Sequence, residues 1–180
     1  KGLSNWDQFV RIEGKTYKGT TGDVAVDHYH RFKEDVKLMA EMGLKTYRFS
    51  ISWPRVIPTG NGEVNEAGLK FYEDLIDECL KYNIEPMVTI FHWDLPQALV
   101  DQYNGFEDRR IIDDFVNYSK VLFERFGSKV KYWITLNEQN VFTSLGWLTA
   151  MHPPGKFNDE KTFYQANHHA FMAHAKTVLL

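Results

Sequence analysis

Three short apolar runs recur at nearly even spacing along the chain, each ending in polar residues. Lys45 to Trp53 (KTYRFSISW), Glu85 to Trp93 (EPMVTIFHW) and Lys131 to Glu138 (KYWITLNE) are rich in β-branched and aromatic side chains, and each predicts a strand. Longer stretches of helical period lie between and around them. Asn65 to Tyr82 sets Leu69, Tyr72, Leu75, Ile76, Cys79 and Leu80 on one face. Asp108 to Phe126 does the same with Ile111, Ile112, Phe115, Leu122 and Phe126, and Gly127 supplies a stop. Ahead of the first strand, Asp27 as N-cap, a stripe of Phe32, Val36 and Met39, and Gly43 as terminator predict a further helix. Strands alternating with helices in this order indicate parallel βαβ units.

The strands begin about 43 residues apart. Two closed forms accept such a unit: a doubly wound sheet of five or six units, or an eight-stranded barrel, which at this pitch needs roughly 340 residues. The chain has 180 residues, opens on KGLSNWD without methionine and stops at AHAKTVLL within a helical pattern. The expectation is a piece of a longer protein, with residues 1–180 forming one domain. An incomplete sheet of this kind leaves unpaired edges and uncovered apolar faces, so self-association of the fragment is expected too.

Composition narrows the function classes. With 43% hydrophobic and 25% charged residues the chain can build a core. Its 21 lysines and arginines against 24 acidic residues, with no basic run, argue against nucleic acid as a partner. No apolar run reaches membrane-spanning length, and no membrane partner is expected. The lone Cys79 falls on an apolar helix face and reads as a packed small hydrophobe. No G-x-G-x-x-G follows any strand, so no nucleotide cofactor is expected.

Candidate chemistry gathers at the carboxyl ends of the strands, where barrels and open α/β sheets bind ligands. There stand Arg48, His92 beside Trp93, and Asn137 with Glu138. Each has a plain structural alternative. Arg48 can simply neutralise a carboxylate within the sheet, and His92 can be a satisfied core histidine. Asp94, before Leu95 and Pro96, suits a turn-fixing role better than that of a second catalytic carboxylate. His28 and His30 form an H-x-H pair, but they open a helix, and His168 with His169 also fall on a helical pattern; no metal is expected. Glycoside hydrolysis fits the remaining set. It needs two carboxylates, about 5–5.5 Å apart when configuration is retained. Glu138 on an apolar strand suits the proton donor, because desolvation favours its neutral form. The adjacent Asn137 suits a contact to the sugar 2-hydroxyl.

The segment RFSISWPRVIPTGNGEVNEAGLKFYEDLIDECLKYNIEPMVTIFHWDLPQAL, followed by YWITLNE, resembles the amino-terminal part of family 1 glycoside hydrolases, the β-glucosidases and 6-phospho-β-glucosidases. The resemblance runs from Lys1 to Leu180. It implies a (β/α)8 TIM barrel, of which this chain carries about the first half, its strands matching the family's second to fourth. It also implies Glu138 as acid/base, Asn137 as ligand of the 2-hydroxyl, His92 and Trp93 as part of the wall around the glucosyl ring, and Arg48 as support for the nucleophile. The family's nucleophile lies in a Glu-Asn-Gly segment that does not occur here, and its first strand is absent as well. The fragment alone is therefore expected to be inactive. NEQNVFTSLGWLTAMHPPG is more similar to the bacterial 6-phospho-β-glucosidase branch, which implies a cytoplasmic enzyme acting on a small phosphorylated β-glucoside; a β-glucosidase of unphosphorylated substrates is the alternative. A non-catalytic barrel fragment and a metal-dependent hydrolase using His28 and His30 are the rival readings.

Overall fold

A computed structural model describes residues 1–180. Helices α1 (Asn5–Phe9) and α2 (His28–Glu41) precede strand β1 (Thr46–Ser50). Helices α3 (Trp53–Val56) and α4 (Glu66–Lys81) lead to β2 (Glu85–Phe91). Helices α5 (Gln97–Tyr103) and α6 (Ile111–Phe126) lead to β3 (Tyr132–Leu136), and α7 (Gln139–Trp147) and α8 (Glu160–Thr177) complete the chain. The strands form one parallel sheet in sequential order, with Arg48 opposite Met87, Ser50 opposite Thr89, and Thr89 opposite Ile134.

Alternation along the strands divides the sheet into two unlike faces. Phe49, Val88, Ile90 and Trp133 point toward the helices and join a continuous core of 30 buried residues and the partly buried hydrophobics packed on it. The stripes of α4 and α6 supply much of that core, including Ile76, Cys79, Phe115 and Leu122, all fully buried. Helices therefore cover one side only. The opposite face carries Arg48 and Tyr132 exposed to solvent. A doubly wound sheet needs helices on both faces and a reversal of strand order; this sheet has neither.

The ends of the elements depart from the sequence expectation for local reasons. All three strands stop early. β1 ends at Ser50, ahead of α3 with Pro54 in its first turn; β2 ends before His92; and β3 ends before Asn137. The long helix α6 starts at Ile111, not Asp108, because the Asp108 carboxylate folds back on Arg110, accepting from its backbone N–H at 2.9 Å and from its guanidinium. Asp27 stands at the N-cap of α2, yet its backbone is left-handed and its side chain caps nothing, engaging His30 Nδ1 at 2.6 Å instead. Gly43 does end that helix, at φ +80°, a conformation that favours glycine. Leu80, expected on the buried face of α4, lies 39% exposed at its rim. Gly68 in α4 is needed for a close approach: a Cβ there would stand 2.0 Å from the Arg55 carbonyl oxygen.

The amino-terminal segment braces the loop after β2. Ser4 and Asp7 form a capping box that starts α1, and backbone bonds join Asn5 N–H to the Leu95 carbonyl and Gln97 N–H to the Leu3 carbonyl, both at 2.8 Å. No helix is long and apolar enough to cross a membrane.

Candidate active site

Two adjoining strand ends build the polar cluster. Where β2 ends, the chain turns through His92 and Trp93, and Trp93 takes φ +79°. Where β3 ends, Asn137 N–H still donates to the Phe91 carbonyl at 2.9 Å, and Glu138 then takes φ +42° as the N-cap of α7. A bulky residue held at positive φ is costly, and such strain persists where surrounding contacts determine it. Here a contact is visible: the Trp93 indole N–H donates to the Asn137 carbonyl oxygen at 2.9 Å and ties the two turns together.

Arg48, Asn137 and His92, singled out separately in the sequence, are joined by hydrogen bonds. Arg48 Nη2 donates to Asn137 Oδ1, and Asn137 Nδ2 lies 3.1 Å from His92 Nε2. Because a guanidinium can only donate, the amide oxygen faces it and the amide nitrogen faces the histidine. His92 Nε2 is then the acceptor, and the neutral ring carries its proton on Nδ1. The imidazole pKa agrees: burial lowers it from the ordinary value, the Arg48 charge lowers it further, and the Glu138 carboxylate opposes both. One hydrogen of Asn137 Nδ2 and the His92 Nδ1–H remain as donors. A broad recess of about 440 Å³ beside them is lined by His28, Arg48, Ser50, Thr89 and His92.

One member of the cluster was not found from sequence. Thr89 Oγ1 accepts from Arg48 Nε at 3.0 Å, linking β2 to β1. A single threonine in MVTIF carries no signal by itself; only the register, which sets Thr89 beside Ser50 and near Arg48, reveals it.

Two expectations need correction. Glu138 is exposed, lying two residues beyond the apolar strand, so the strand does not desolvate its carboxyl. Asp94 makes no side-chain bond to the following turn; its Oδ1 is enclosed without a partner, and burial pushes its pKa up to about 7.

Each histidine pair has a member engaged by a protein partner. His28 Nδ1 contacts Asp35 Oδ2, and His169 Nδ1 donates to the Phe106 carbonyl at 2.8 Å. No three His, Cys, Asp or Glu side chains gather in a metal-binding group.

Chemically, the cluster offers an exposed carboxyl next to a fixed amide donor and a neutral imidazole. That arrangement can give a proton to a leaving group while holding hydroxyls beside it. Comparisons with known proteins give the family. Residues 1–180 match the family described as glycosyl hydrolase family 1. An aryl-phospho-β-D-glucosidase of Bacillus subtilis is 65% identical over 178 residues, covering 99% of this chain and 37% of the relative. The family 1 β-glucosidase of Thermotoga maritima superposes with a TM-score of 0.96 at 49% identity, over 99% of this chain and 40% of that one. A mutant of the rice β-glucosidase Os3BGlu6, solved in a covalent complex with glucose, gives a TM-score of 0.97 at 43% identity, with the same coverage. The chain thus spans well under half the length of these relatives.

Proposed function

The chain belongs to glycosyl hydrolase family 1 and folds as part of its (β/α)8 barrel, and on that premise we propose that the full-length protein is a retaining β-glycosidase in which Glu138 is the acid/base. The observation that carries this reading is the joined set of Arg48, Asn137 and His92 beside the Glu138 carboxyl.

In the first step, a nucleophilic carboxylate from a part of the barrel outside this chain attacks the anomeric carbon. Glu138 gives its proton to the departing glycosidic oxygen, so the aglycone leaves neutral. In the second step, Glu138, now a carboxylate, takes a proton from water, and the water oxygen displaces the enzyme carboxylate. Two inversions leave the configuration unchanged. The covalent glucose complex of the rice relative supports the intermediate. Asn137 holds the 2-hydroxyl through its free amide hydrogen, His92 offers Nδ1–H to a ring hydroxyl, Trp93 forms the wall beside it, and Arg48 keeps the incoming carboxylate ionised. Without the nucleophile, residues 1–180 alone are inactive, and their open sheet edges favour self-association.

For substrate, we favour 6-phospho-β-glucosides and a cytoplasmic setting. The support is the 65% identity to an aryl-phospho-β-D-glucosidase, against 43–49% for the two β-glucosidases compared. An unphosphorylated β-glucoside is the second reading, favoured by those same β-glucosidases. Glu138→Gln in the full-length protein tests the catalytic assignment. The specificity constant kcat/KM, which reports the glycosylation step, falls severely on substrates with poor leaving groups and far less on activated aryl glycosides, because only the former need the proton in that step. Equal loss on both removes Glu138 from the role.

A further inference from the structure

Thr89 stands in the middle of β2 between Val88 and Ile90, and all three are fully buried. Valine would satisfy strand preference and packing at this position equally well. What threonine adds is a hydroxyl, whose burial costs free energy unless it finds a partner. Its partner is Arg48, whose Nε donates to Oγ1 at 3.0 Å.

We propose that Thr89 is a positioning residue for the reaction: its hydroxyl sets the plane of the Arg48 guanidinium and, through it, the orientation of the Asn137 amide. This rests on the role given to Asn137 above. Arginine has a long stem of many rotamers but a rigid, planar head, so fixing Nε at Thr89 while Nη2 meets Asn137 Oδ1 fixes the whole fork. The amide then has one orientation. Its oxygen faces Arg48, one Nδ2 hydrogen goes to His92, and the other is left for the sugar 2-hydroxyl. Thr89 touches no substrate; it acts through two intermediaries. Nη1 of Arg48 stays unengaged by either contact and is free to meet an incoming carboxylate.

The test uses the full-length enzyme with Thr89→Val and Thr89→Ser, assayed on an aryl β-glucoside, as its 6-phosphate if the wild type requires it, and on the matching 2-deoxy glucoside. Thr89→Val should lower kcat/KM on the 2-hydroxy substrate by roughly 10–100-fold, the usual effect of losing an outer-shell partner, and on the 2-deoxy substrate by less than about threefold. Thr89→Ser, which keeps the hydroxyl, should stay within about threefold of wild type on both. The ratio between the two substrates is independent of how much enzyme is correctly folded, so a purely structural defect does not move it. Equal losses on both substrates, no loss on either, or a serine variant as impaired as the valine one would overturn the proposal. Wild-type enzyme that hydrolyses neither substrate would instead remove the glycosidase reading, and the role of Thr89 with it.

Discussion

At Asp94 a carboxyl group is held where a carboxylate is unwelcome. Burial raises its pKa from the ordinary 3.8 to about 7, against the weaker pull of the Ser52 hydroxyl and its own backbone N–H. Between these two values the folded protein keeps a proton that the unfolded chain releases. Stability from this group is therefore fully present below pH 3.8 and is lost as pH rises to about 7, by on the order of a few kcal/mol at most. Asp94→Asn should abolish that part of the pH dependence, so that the variant gains on wild type in melting temperature between pH 4.5 and 7.5. Parallel melting curves across that range would show that the carboxyl is solvated. At this scale the sequence was informative where residue type and position suffice: Arg48, His92 and Asn137 could be chosen because polar groups at the carboxyl ends of strands seldom lack a purpose. Thr89 and the indole bond of Trp93 were not legible. Each depends on which residues the register and the turns bring face to face, and a single sequence does not encode that locally.

Among the elements, α6 ties the ends of β1 and β2 together. Its Tyr118 is fully buried, stacks on Trp53 of α3 with ring centroids 4.8 Å apart and an interplanar angle of 2°, and points its hydroxyl at the carbonyls of Ile51 and Ile90 at 3.1 and 3.0 Å. One phenolic proton thus serves both strands next to the site. Tyr118→Phe keeps the ring and leaves two buried carbonyls without that donor, at a cost of about 1–3 kcal/mol. Denaturant unfolding should show this as a lower midpoint at unchanged m-value; a shift under about 0.5 kcal/mol would mean the carbonyls find other partners. The existence and order of the long elements were readable from hydrophobic period alone, since the stripes of α4 and α6 need a sheet to cover. Their ends were not. The stretch of helical period opens at Asp108, but the Asp108 carboxylate bonds Arg110 and delays the helix by three residues. The strands are shorter than the apolar runs for a related reason: His92, Asn137 and Glu138 follow on from those runs, yet a turn, not a strand, is what presents them.

For the molecule as a whole, the unequal faces of the sheet connect fold to function. Helices cover one side, while the other exposes Arg48 and Tyr132. Such a sheet suits a barrel wall whose inner surface meets further strands, consistent with relatives of which this chain covers 37–40%. The barrel itself was legible only through the resemblance; spacing alone left the doubly wound sheet open until the one-sided covering was seen. The exposure of Glu138 belongs here too. The environment of an acid/base that changes protonation twice per turnover depends on what stands opposite it, and the apolar strand behind it does not supply that. The most direct measurement is therefore chemical rescue in the full-length protein carrying Glu138→Ala. Azide, an anion that needs no general base, should restore turnover of an activated aryl β-glucoside, as the 6-phosphate if wild type requires it, and yield the β-configured glycosyl azide. No rescue by azide, or an azide product of inverted configuration, would contradict a retaining mechanism with Glu138 as its acid/base.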